Sequence, residues 1–126
     1  MKVLLIEPGK VPKVIDLDSS LESMQKAVGG LIQAVYPFRD SVALICNEEG
    51  KLLGLPLNRR LRDENGTIYD IISGTFFLCQ APPDGERFAS LTDEQIDHYK
   101  KLYQTPELFM KINGQIICLP MEAPLL

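Results

Sequence analysis

Thr67-Ile68-Tyr69-Asp70-Ile71-Ile72-Ser73-Gly74-Thr75-Phe76-Phe77-Leu78-Cys79 reads as two strand segments, 67–72 and 75–79, broken at Ser73-Gly74, or as one strand carrying a bulge. Successive side chains on a strand point to opposite faces, so the adjacent Phe76 and Phe77 place a large apolar group on each. Both faces therefore need a cover, supplied by helices, a second layer or another subunit. Just upstream, Asp63-Glu64-Asn65-Gly66 is a turn, because Asn-Gly supplies the positive φ angles that tight hairpins require.

Working outward, Leu31–Tyr36 and Ser41–Cys46 are apolar and partly β-branched, with Pro37-Phe38-Arg39-Asp40 as the turn between them. Asn47-Glu48-Glu49-Gly50 is expected to lead into Lys51–Leu55 as the second arm of a hairpin. Leu57-Asn58-Arg59-Arg60-Leu61 is expected to form one helical turn, with Pro56 near its start. At the amino end, Val3–Ile6 and Val11–Leu17 flank Pro8-Gly9, which fits the centre of a type II turn. The spacing predicts a first helix from a capping box of Ser19 with Glu22, through Leu21, Met24 and Val28, to a stop at Gly29-Gly30. A second helix carries a stronger signature. Thr92 with Gln95 makes a capping box, Leu91 with Ile96 a hydrophobic staple, and Thr105-Pro106 the stop. Met110–Leu119 closes the chain as a strand with a hairpin or bulge at Asn113-Gly114.

Strands with two principal helices and no regular βαβ alternation predict an α+β fold with a mainly antiparallel or mixed sheet. The 126 residues suit one domain. Residues 1 to about 80 form a strand-rich body, and about 81–126 a loop, a helical tail and a final strand. The formal charge of -4 has the wrong sign for coating a phosphate backbone, so nucleic-acid binding is disfavoured. Cys46, Cys79 and Cys118 are odd in number, far apart and set in apolar runs, so they read as reduced core residues. The first apolar run is too short for a signal peptide, and no segment reaches the roughly 18 apolar residues of a membrane span. A cytoplasmic protein without membrane contact is the expectation.

The motifs of common chemistries fail in specific ways. Lys10 follows Pro8-Gly9 but precedes Val11, where a phosphate loop needs Ser or Thr. The single histidine, His98, lies away from every cysteine, and no Gly-x-Ser-x-Gly is present, so no metal, no cofactor and no catalytic triad is expected. Tyr36, Phe38, Phe76, Phe77, Tyr99, Tyr103 and Phe109 read as core or sheet-covering groups. The densest cationic segment is Leu57-Asn58-Arg59-Arg60-Leu61-Arg62. Its guanidinium groups present paired donors to carboxylate or phosphate. Either Asn58, Arg59, Arg60 and Arg62 form an anion or partner contact, or they sit on a solvated turn paired with Asp63, Glu64 or nearby acids. Asp70 is either a half-buried carboxylate or an outward strand residue.

Asn47-Glu48-Glu49-Gly50-Lys51-Leu52-Leu53-Gly54-Leu55-Pro56-Leu57-Asn58-Arg59 and Asp70-Ile71-Ile72-Ser73-Gly74-Thr75-Phe76-Phe77 give the chain its most distinctive text. Through these runs it resembles an uncharacterised bacterial and phage family, domain of unknown function 3846. The resemblance runs from Met1 through at least Leu78, including Val35-Tyr36-Pro37-Phe38, and does not extend over the less distinctive part from Pro82 onward. It implies an accessory protein of bacteria, phages or mobile elements and transfers no activity or site residues.

The leading expectation is a non-enzymatic accessory domain that binds another macromolecule, a protein partner, through Asn58, Arg59, Arg60 and Arg62. The rival is a binder of a small anionic ligand, or an enzyme acting on one, with the same arginines as clamp and Asp70 as acid or base. A pocket joining these residues favours the rival, and a separated arrangement counts against it. Dimerisation through an uncovered sheet face or edge is a further expectation.

Overall fold

The computed structural model describes residues 1–85 and 87–121. Its elements are β1 (Lys2–Ile6), β2 (Lys13–Asp16), α1 (Leu21–Val28), β3 (Ile32–Val35), β4 (Val42–Asn47), β5 (Leu57–Arg62), β6 (Ile68–Ser73), β7 (Phe76–Gln80), α2 (Asp93–Leu102), β8 (Glu107–Ile112) and β9 (Gln115–Pro120). Five strands form one antiparallel sheet in the order β2-β1-β7-β4-β3. β5 pairs with β6, and β8 with β9, as separate two-stranded antiparallel ribbons. The fold is α+β, as the element pattern predicts.

Phe76 and Phe77 lie on the central strand, and both are fully buried. One face of the sheet carries Val3, Ala43, Ile45, Phe77 and Cys79 against Met24 and Val28 of α1. The opposite face carries Leu4, Val42, Leu44, Phe76 and Leu78 against α2 and the β5–β6 ribbon, through Ile96, Tyr99, Leu61 and Ile72. Because both faces are covered, β4 reads as an unbroken apolar run from Val42 to Cys46 rather than the alternation of a half-exposed strand.

Helix signals hold where a side chain satisfies an orphan amide. Thr92 Oγ1 accepts from Gln95 N at 3.1 Å and Gln95 Oε1 accepts from Thr92 N at 2.9 Å, closing the expected capping box. α2 ends at Leu102, three residues ahead of Thr105. In α1 the cap is Ser20, not Ser19, since Ser20 Oγ takes the Ser23 amide. Gly29 ends that helix in the left-handed conformation, φ 79°.

Four further expectations need correction. Lys51–Leu55 is not a strand but a run of turns closed by Leu53 N to Glu49 O and Leu55 N to Gly50 O. Gly50 lies so close to the Ser73 carbonyl that a Cβ would meet it at 2.6 Å, which folds this segment back against the ribbon. Leu57–Leu61 is not a helical turn but part of β5, because its backbone pairs with β6. Tyr36 is exposed, while Phe76, Phe77, Tyr99 and Tyr103 are buried as expected. Cys118, unlike Cys46 and Cys79, is only half-buried, because β9 lies outside both core clusters.

Candidate functional site

β5 carries the arginines, and its second and third residues are turned inward at an irregularity in the strand register. Asn58 and Arg59 are almost wholly buried. Asn58 Nδ2 donates to Ile6 O and Gly74 O, each at 2.9 Å, tying the ribbon to the end of β1 and to the link before β7. Gly74 holds φ 87° with Leu55 packed where a Cβ would stand, so this junction needs glycine. Arg59 Nη2 donates to Lys10 O at 2.7 Å and to Tyr103 O at 3.1 Å, and Nη1 donates to Asn58 Oδ1 at 2.9 Å. The guanidinium thus joins the first hairpin turn, β5 and the end of α2. Its Nε is buried and has no partner among the described residues. Burial lowers the Arg59 pKa, opposed by the nearby Glu107 charge.

Arg60 has a different task. Its Nε and backbone N–H both donate to the Glu107 carboxylate, which fastens the start of β8 to β5. The Cys118 thiol donates to the same carboxylate at 2.8 Å. Burial alone raises the Glu107 pKa, but the bonds from Cys118 and Arg60 and the Arg60 charge outweigh it and hold the carboxyl below its ordinary value. Burial and the Glu107 carboxylate push the Cys118 thiol up to about 11. Arg62 is exposed and donates weakly to Gly66 O, at 3.4 Å. Glu64 is taken by Arg39 instead.

The structure therefore brings Arg59, Arg60 and Arg62 to one small concavity of about 140 Å³, beside Phe38, Tyr103 and Glu107. Asp70 does not line it. Asp70 is half-buried on β6, where it pairs with Lys51 and accepts from its neighbour's amide, Ile71 N, at 2.8 Å. This ion pair borders a cleft of about 610 Å³ between the 51–55 turns, the β5–β6 ribbon and β9. The cleft wall is apolar, built by Leu55, Leu57, Ile68, Tyr69, Ile71 and Ile116. Apolar surface also continues beyond it, for Leu52 is 87% exposed and Leu53 58%. A larger opening of about 850 Å³ lies between the start of α1 and the 81–88 loop, lined by the exposed Asp18 and Arg87. It adjoins residue 86, outside the described residues.

Sequence reasoning reached Asp70 but not its surroundings. Lys51 is 19 positions away, and Glu107, the partner of Arg60, is 47 away. The one signal for the cleft wall was the apolar text on both sides of Asp70. Among the described residues no three His, Cys, Asp or Glu side chains converge on a common point, and no helix is long and apolar enough to cross a membrane.

A family model described as Domain of unknown function (DUF3846) matches residues 1–104. The match corrects the expectation that the family stops short of Pro82, since it takes in the following loop and α2. No curated protein and no solved structure matches the chain.

Proposed function

Since the chain belongs to the family described as Domain of unknown function (DUF3846), a description that names no activity, we propose its function from geometry: it is a binding domain whose cleft takes an extended apolar segment of another protein. The observation that carries this reading is the apolar cleft with one ion pair at its border and further exposed leucines outside it. Ligand sites are commonly apolar concavities with a few convergent polar groups. A small molecule inside would leave Leu52 and Leu53 in water, whereas a protein segment covers them too. Glu48 and Glu49 stand exposed on the adjoining turn, so the partner segment carries a basic residue beside its apolar ones.

Site-specific photocrosslinking tests this in the native host. A crosslinker at Tyr69 or Leu52 captures one common protein, and the same group at Lys26, on α1 across the sheet, does not. Capture at all three positions alike, or at none, removes the reading. Tyr69→Glu lowers capture at Leu52 severalfold while leaving the fold intact.

A second reading has its own observation, the buried Arg59 Nε, which has no partner among the described residues, next to a concavity that three arginines share. A small oxyanion there offsets a charge that no carboxylate contacts directly among the described residues. Phosphate then raises the melting temperature above that in chloride of equal ionic strength, and Arg62→Gln reduces the gain. Equal melting temperatures in the two salts dispose of it.

A further inference from the structure

From the outer face of the β8–β9 hairpin we infer a second binding surface, whose occupant is a second copy of this chain. The register pairs Leu108 with Leu119, Met110 with Ile117 and Ile112 with Gln115, so these six side chains share one face. Glu107, Phe109 and Cys118 share the other, which faces the body through the Arg60 contact. On the outer face Leu108, Met110, Ile112, Ile117 and Leu119 are each 37–46% exposed. Gln115, at the turn end, is its one polar member. A lone two-stranded hairpin is marginal in water, and this one offers water a nearly continuous apolar surface. The hairpin also follows residue 104, the last that the family model matches.

Charge and area together select the occupant. The chain carries a formal charge of -4, so two copies repel over most approaches. Among the described residues the outer hairpin face has no charged member, and Lys111 and Glu107 lie on its inner side. A two-fold pairing through this face therefore sets no like charges opposite one another, and it matches leucine, methionine and isoleucine with the same set. A partner recruited by opposite charge would find nothing to read here. Five half-exposed aliphatic side chains expose on the order of 400 Å², the size of a functional surface patch. That is about half of the roughly 800 Å² per partner that a standard interface buries. The dimer is accordingly weak and concentration-dependent, with Met110 and Ile117 nearest the two-fold axis.

Sedimentation equilibrium of the full chain over a wide concentration range tests this. The average mass rises from 14.1 kDa toward twice that value. Ile117→Lys and Ile117→Glu each stay monomeric, and mixing the two in equal amounts restores association, because opposite charges then meet across the axis. Circular dichroism establishes that both variants fold. Should either fail to fold, Leu108→Thr with Leu119→Thr, which keeps strand propensity, gives the same loss of association. A wild-type chain that stays at 14.1 kDa up to its solubility limit overturns the inference. So does an Ile117→Lys chain that associates as strongly as wild type, or a charge-swap mixture that stays monomeric. These substitutions leave crosslinking at Tyr69 unchanged, so this surface and the cleft fail or stand independently.

Discussion

Phe76-Phe77 in β7 and Ile116-Ile117 in β9 are the same device in two settings. Each is an adjacent apolar pair on a strand, and each sends one side chain to either face of its sheet. In β7 both are fully buried, because α1 covers one face and α2 with the β5–β6 ribbon covers the other. In β9 they are 52% and 37% exposed. The central sheet spends its apolar text on holding the body together. The hairpin and the cleft beside it carry similar text that no other described residue covers, and surface of that kind commonly marks an interaction site.

If this contrast is right, truncation costs far more in β7 than in β9. Phe77→Ala removes about 3–5 kcal/mol of stability, whereas Ile117→Thr changes it by no more than about 0.5 kcal/mol. Urea unfolding of the two variants checks the ratio, and comparable losses would erase the distinction. Next in size is Arg59→Met, which strips donors from Lys10 O, Tyr103 O and Asn58 Oδ1 and leaves those acceptors in a buried setting. A loss of about 2–3 kcal/mol follows. A neutral result in the same unfolding assay would mean that apolar packing replaces the clamp, as it does in some buried ionic networks.

A smaller effect belongs to the Glu107 fastening. Its folded-state pKa lies below the ordinary carboxyl value. The stability it contributes is therefore complete above the unfolded pKa and is lost as pH falls through the folded one. Amide exchange in β8 and β9 should accelerate on acidification relative to the central sheet, after correction for intrinsic rates. Glu107→Gln should loosen the hairpin at neutral pH and flatten that response. Smallest is a reactivity difference: with its thiol near 11, Cys118 alkylates slowly at neutral pH, and Cys79, buried and pushed up to about 12, slower still. Mass spectrometry after timed alkylation ranks the two.

Much of the architecture was legible because it rests on local chemistry. Phe76-Phe77 announced a strand covered on both faces, Thr92 with Gln95 closed its box, and Asn113-Gly114 turned the last hairpin with both residues at positive φ. The misreadings came from long-range partners. Leu57-Asn58-Arg59-Arg60-Leu61 looks too polar for a strand beside a core, and carbonyls 44 and 49 residues away, together with Asn58 Oδ1, make a buried Arg59 tolerable. Lys51–Leu55 looks like a strand until the Ser73 carbonyl packs against Gly50. Of the candidate residues, Asp70 was found without its lysine and Arg60 without its glutamate. Burial of Asn58 and Arg59 was invisible, because composition shows which residues are charged but not which ones the chain encloses.

Hydrogen–deuterium exchange resolved by element, run on the full chain at low and high concentration, tests most directly whether the hairpin is an uncovered contact surface. β4 and β7 should exchange slowly and identically at both concentrations, while β8 and β9 exchange quickly when dilute and slow as the chain is concentrated. Amides of β9 as protected as those of β7 in dilute solution, unchanged by concentration, would contradict the account.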